Sequence, residues 1–133
     1  MHSSQLLDHF QNPRNVGEFE HNAVTVEASN PACGDRMRLS ARFVDGRVAE
    51  ARFLTRGCTA SIAAGSALTE LIAGRNGREL MSLNAGDVEH AVGGLAPESK
   101  HASILCVDAV RALVRAAGRA LEPPSPPAAT IKS

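Results

Sequence analysis

The hydrophobic period of this chain changes abruptly at Gly57-Cys58. Before that point apolar and polar residues alternate, as in strands with one buried face. Val24, Val26 and Ala28 share one side of a first predicted strand, with Thr25 and Glu27 on the other. Met37, Leu39, Ala41 and Phe43 face inward on a second, against Arg36, Arg38, Ser40 and Arg42. Asp45-Gly46 is a strong hairpin signal, and Val48 to Thr55 gives a third strand with Ala49, Ala51 and Phe53 on one face. After Gly57-Cys58, Ala60, Ala63, Ala64, Ala67, Leu68, Leu71 and Ile72 form a helical stripe that Gly74 stops. Short helices are expected near Arg78–Met81 and Ala85–Val92. Ser99 is expected to cap a last long helix with the stripe Ala102, Leu105, Cys106, Ala109, Leu113 and Ala116. Ahead of the sheet, Ser3 or Ser4 can cap a short helix through Leu6, Leu7 and Phe10, limited by Pro13. Strands first and helices afterwards predict an α+β fold, a three-stranded antiparallel sheet covered by helices on one face.

The length of 133 residues suits one domain, read as 1–121. The proline-rich run Pro123-Pro124-Ser125-Pro126-Pro127 ends helical structure, so 122–133 is expected to be a disordered tail. With four Phe and no Trp or Tyr, small aliphatic side chains must fill the core. Fourteen basic residues cancel fourteen acidic ones without a basic run, which argues against nucleic acid as a partner. No stretch has the length of a membrane span, and Met1-His2-Ser3-Ser4-Gln5 lacks the regions of a secretory signal. Three cysteines cannot all pair with one another, and their spacing is not that of a small secreted framework; the expected compartment is the reducing cytoplasm.

Three segments at predicted element boundaries carry the chemistry. Pro31-Ala32-Cys33-Gly34-Asp35, Arg56-Gly57-Cys58 and Lys100-His101-Ala102 together offer two thiols, a carboxylate and an imidazole. Those are the donors of tetrahedral zinc and of iron–sulfur sites. An isolated cysteine is more often a small buried hydrophobe, but the loop around Cys33 and Asp35 two residues on favour a ligand. Cys58 falls at a strand-to-helix junction, where a helix N-terminus favours the thiolate. His101 alone would be an ordinary surface histidine at the start of a helix.

The chain resembles the U-type iron–sulfur cluster scaffold family along most of its length. The residues that carry the likeness are Leu6-Leu7-Asp8-His9-Phe10-Gln11-Asn12-Pro13-Arg14-Asn15-Val16-Gly17, Ala32-Cys33-Gly34-Asp35, Gly57-Cys58 and His101-Ala102-Ser103-Ile104-Leu105. The resemblance implies a small three-stranded sheet covered by helices, and a non-enzymatic scaffold or carrier. It implies that Cys33, Asp35, Cys58 and His101 bind a transient [2Fe–2S] cluster or zinc, and that a cysteine desulfurase is a partner. It departs at Ala102, where the family has a third cysteine. Cys106, one turn on, lies about 6 Å away along the helix, too far for a simple swap when metal–sulfur bonds hold near ~2.3 Å. Its apolar neighbours assign it to packing. Of the proline-rich segment that the family shows to an Hsp70-type chaperone, only Leu95 and Pro97 remain, which argues against that partner.

Two other readings stand beside the scaffold. One is a thiol-dependent enzyme, with Cys58 or Cys33 as nucleophile, His101 as base and Asp35 orienting it. The other is a metal-free adaptor that docks to sulfur-transfer proteins.

Overall fold

The computed structural model describes residues 2–32 and 34–122. Strands β1 (Val24–Ser29), β2 (Arg36–Val44) and β3 (Arg47–Arg56) form an antiparallel sheet in the order β1-β2-β3. The helices are α1 (Ser4–Gln11), α2 (Thr59–Ile72), α3 (Gly77–Met81), α4 (Ala85–Ala91) and α5 (His101–Ala117), with 3-10 turns at Pro97–Ser99 and Gly118–Leu121. The long helices cover one face of the sheet: α5 lies on β1 and β2, α2 on β3, and α1 packs against α2. This is the α+β arrangement that the change of period implies. Of the tail expected over 122–133, the residues from Pro123 onward lie outside the described residues.

Asp45 and Gly46 both have positive φ, 54° and 77°, as a two-residue hairpin loop between twisted strands requires. Phe43 pairs with Val48, but Arg42 pairs with Glu50, so Ala49 is the extra residue of a β-bulge. The bulge corrects the expected alternation. Ala49 is exposed, while Val48 and Ala51 both turn inward with Phe53.

Small residues let α2 sit close to the sheet. Ala60, Ala63, Ala64 and Ala67 are buried, and Gly65 lies against the Phe53 ring; a Cβ there would come within 2.5 Å of a ring carbon. On α5 the buried stripe runs through Ala102, Leu105, Cys106, Ala109 and Leu113 but ends on Ala117, while Ala116 is exposed. Ser99 does not cap α5. The turn Pro97–Ser99 runs directly into the helix, and Lys100, the residue before it, already has helical φ and ψ, whereas a capping residue needs extended backbone. Asn76 with Glu79, and Asn84 with Asp87, close capping boxes at the starts of α3 and α4.

In α1 the Ser3 hydroxyl accepts from the Leu6 N–H, as expected, and Leu6 is fully buried. Leu7 and Phe10 instead remain 40% and 37% exposed, and the other buried position is His9. Its Nδ1 is 2.8 Å from Ser66 Oγ on α2 and accepts from Arg14 Nη1 at 3.1 Å. Burial, then the Arg14 charge, hold the His9 imidazole below its ordinary value of 6.5 despite Glu70 nearby.

Two outcomes follow. Gly65→Val should destabilise the fold by about 1–3 kcal/mol, because the added side chain must displace the Phe53 ring in a closed core; urea unfolding measures it. His9 gives a pH dependence with a definite sign. The unfolded chain takes up this proton below about pH 6.5 while the folded chain still resists it, so stability falls with falling pH until the folded imidazole titrates as well. His9→Asn, which cannot titrate, should flatten that part of the stability–pH curve relative to the parent.

Candidate metal centre

Asp35 immediately precedes β2, Cys58 lies between the end of β3 and the start of α2, and His101 opens α5. The loop ahead of Asp35 is organised by Asn30. Its carbonyl accepts from the Gly34 N–H at 2.7 Å, its side-chain oxygen from the Ala32 N–H at 3.0 Å, and its own N–H donates to the Asp35 carbonyl at 2.8 Å. Gly34 has φ +80°, a turn that favours glycine. Cys33, expected as a donor from this loop, lies outside the described residues.

The other three expected donors converge. His101 Nε2 is 3.2 Å from Asp35 Oδ2 and 3.6 Å from Cys58 Sγ, and the thiol donates to Asp35 Oδ2 at 3.5 Å. A tetrahedral ion bound at ~2.0–2.3 Å spaces its ligand atoms about 3.3–3.8 Å apart. The triangle therefore has edges close to those of a ligand shell. Cys58 is exposed and the His101 side chain is 25% exposed, so the donor cluster opens to solvent, while Asp35 at 6% forms its floor. Among the described residues this is the group of histidine, cysteine and carboxylate side chains close enough to share an ion.

Burial of Asp35 pushes its carboxyl up, but hydrogen bonds outweigh that and hold it below the ordinary carboxylate value. They come from the Ser61 hydroxyl, the Cys58 thiol and backbone N–H, and His101. Ser61, buried in the first turn of α2, donates to Oδ2 at 2.5 Å and lies 3.4 Å from Cys58 Sγ. The sequence places Ser61 as a polar neighbour of Cys58; it gives no sign that the hydroxyl anchors the carboxylate. Gly57 bears on the site through its missing side chain. A Cβ on it would fall 2.6 Å from Asp35 Cγ and within 2.9 Å of both carboxylate oxygens, so the missing side chain makes room for Asp35.

Ala102 is fully buried and brings no donor. Cys106 is also fully buried, in the core under α5, and burial pushes its thiol up. Both facts agree with packing as its role.

Comparison with known proteins places the chain in a family. The model of the NifU-like N-terminal domain matches residues 1–119. An iron–sulfur cluster assembly scaffold protein IscU of Archaeoglobus fulgidus is 40% identical over 111 residues, which cover 84% of this chain and 72% of the relative. The iron–sulfur cluster assembly scaffold protein IscU of Escherichia coli (strain K12) is 38% identical over 117 residues, 85% of this chain and 91% of the relative. Among solved structures, a candidate iron–sulfur cluster assembly scaffold protein for the SUF system from Fervidobacterium islandicum AW-1 superposes with a TM-score of 0.71 at 20% identity, over 84% of this chain and 95% of that one. The chain belongs to the NifU-like N-terminal domain family, and its fold is the one these scaffolds share.

The anchoring of Asp35 is open to direct measurement. Gly57→Ala and Ser61→Ala should each move the Asp35 titration upward, the first by displacing the carboxylate and the second by removing its shortest hydrogen bond. Carboxyl-carbon NMR against pH reads the shift. An unchanged titration in both variants would show that neither residue holds it.

Proposed function

We propose that this chain is an iron–sulfur cluster assembly scaffold or carrier. Its cargo is a transient [2Fe–2S] cluster, with zinc as the occupant when iron and sulfide are absent, and its ligands are Cys33, Asp35, Cys58 and His101. The observation that carries the reading is the convergence of Asp35 Oδ2, Cys58 Sγ and His101 Nε2 on one point. The names of the relatives support it. So does the donor chemistry: thiolate and imidazole suit zinc and iron, and the carboxylate adds a hard oxygen donor.

The same geometry speaks against the thiol-enzyme alternative. In a catalytic triad the histidine spends one ring nitrogen on the nucleophile and the other on the carboxylate. Here Nε2 faces both Cys58 and Asp35. A ligand shell needs the three atoms on one side of a shared ion; a proton relay needs the ring between its partners. The protein is therefore read as non-catalytic, receiving sulfur from a cysteine desulfurase. Such a site requires free thiols, which suits the reducing cytoplasm. Among the described residues no helix is long and apolar enough to cross a membrane.

Anaerobic reconstitution with ferrous iron and sulfide, followed by iron and acid-labile sulfide counting, tests the proposal. The parent should bind the cluster, and with zinc alone it should bind one ion per chain, more weakly as falling pH protonates the ligands. Asp35→Ala, Cys58→Ser, His101→Ala and Cys33→Ser should each lose most of the bound iron. Cys106→Ala should keep it, at a stability cost of about 1 kcal/mol for the vacated core volume. A parent that binds neither zinc nor cluster, or a Cys106→Ala variant that loses its iron, would refute the assignment.

A further inference from the structure

The outer face of the sheet, away from the helices, is dense in arginine: Arg36, Arg38 and Arg42 on β2, Arg52 and Arg56 on β3. At one end these guanidiniums have partners. Phe19 lies against the face with the guanidiniums of Arg42 and Arg52 at 4.3 and 4.4 Å from its ring centroid, and Arg42 pairs with Glu50 at 3.4 Å. Arg52 also donates to the Glu18 carbonyl at 3.1 Å. The other end is different. Arg36 stands directly opposite Arg56 in the β2–β3 register, and among the described residues neither guanidinium has a hydrogen bond or an ion pair. Like charges directly opposed across a ladder repel and weaken the sheet. Arg38, the next outward residue, keeps Glu18 at 3.0 Å and Glu27 at 3.9 Å, exposed pairs that exchange readily for other carboxylates.

These residues line an open concavity of about 340 Å³, formed by Glu27, Arg36, Arg38, Leu54, Thr55 and Arg56. Leu54 contributes an apolar floor, 38% exposed, opposite Arg38. We propose that this end of the sheet is a docking site for an acidic segment of a partner protein, whose carboxylates fill the gap between Arg36 and Arg56. Guanidinium recognises carboxylate through paired N–H donors, and two unneutralised guanidiniums side by side favour a ligand with more than one negative charge. The exposed leucine favours a peptide over a free anion, since a peptide brings apolar side chains beside its acidic ones. An extended segment presents alternate side chains on one face every ~6.4–6.8 Å, the same interval that separates Arg36 from Arg38 on their strand. The location adds a consequence. Arg36 follows Asp35 and Arg56 precedes Gly57-Cys58, so a segment docked here lies beside the donor cluster.

The test reads peptide binding alone, so its failure leaves the metal-site proposal standing. A fluorescein-labelled peptide Asp-Glu-Leu-Glu-Asp-Glu is titrated with the 133-residue chain at about 50 mM and about 200 mM salt, and anisotropy is followed. Binding should be seen at the lower salt and weaken at the higher. The matched peptide Asn-Gln-Leu-Gln-Asn-Gln should not bind. Arg36→Gln with Arg56→Gln should weaken binding about tenfold and leave thermal stability equal or raised, since it relieves a repulsion. Arg111→Gln with Arg115→Gln, the same loss of charge on the exposed face of α5, should change binding less than about twofold. No binding at low salt, or equal weakening by the two double variants, would overturn the proposal. So would displacement of the peptide by citrate beyond the effect of sodium chloride at matched ionic strength, which would assign the pair to free small anions.

Discussion

A carboxylate almost removed from water, at the point where the sheet meets two helices, constrains the rest of this structure. Burying an ionised carboxyl costs several kcal/mol, about the stability of a small domain, unless donors meet it. The donors at Asp35 come from different elements: Ser61 from the first turn of α2, Cys58 from the β3–α2 junction, and His101 from the start of α5. Each element must therefore end where it does. A shift of α2 by one residue would take the Ser61 hydroxyl off the carboxylate. Any side chain at position 57 would occupy the space that the carboxylate fills. The arrangement that keeps Asp35 charged also aims the thiol and the imidazole at the same point.

The core makes that convergence possible by being built from small side chains. Ala60, Ala63, Ala64 and Ala67 bury one face of α2, and Gly65 lets the helix close onto Phe53. A core of bulkier residues would hold the helix farther from the sheet and open the seam beneath Cys58. Close-packed interiors transmit such displacements because they have little free volume to absorb them. On the far side of α2, the pairing of His9 with Ser66 and Arg14 fastens α1 through polar contacts, where the sequence suggested an apolar stripe.

The fold was legible because each segment of the chain carries one period and the change between them is sharp. Alternation gave the inward faces of β1 and β2, Asp45-Gly46 gave the hairpin, and the spacing from Ala60 to Ile72 gave α2. What alternation cannot contain is an extra residue. The bulge at Ala49 reverses the phase at the start of β3, ahead of Ala51, because two positions there oppose one on β2, and no residue type announces it. The end of α5 slipped from Ala116 to Ala117 for a related reason: with alanine at both positions, composition cannot say which one faces the sheet. Ser99 looked like a cap by identity, but capping depends on backbone conformation, and the turn before it is already helical. In the site, the three residues that converge, Asp35, Cys58 and His101, could be singled out from their types and from family resemblance. The anchoring by Ser61 and the clearance at Gly57 are contacts between residues far apart in the chain, and only the folded arrangement creates them.

The missing thiol at Ala102 is the feature that most separates this chain from the scaffold pattern it resembles, and the structure limits how the loss can be offset. Cys106 would have to reach the donor cluster from one turn deeper in α5, out of a fully buried position. It would also have to ionise, since the thiolate is the ligand, while its surroundings favour the neutral thiol. Turning α5 to expose it would draw Ala102, Leu105 and Ala109 out of the core with it and carry His101 away from Asp35. On the proposed function, the cheaper arrangement leaves Cys106 buried and relies on a shell of two thiolates, one carboxylate and one imidazole. Against a three-cysteine shell, such a set would give up one soft iron–sulfur bond and keep two harder ligands, an imidazole and a carboxylate that already lie within hydrogen-bond distance of each other. On the proposed function this chemistry favours handing a cluster on over keeping it, because the donors that bind most weakly are also the ones the fold is prepared to take back.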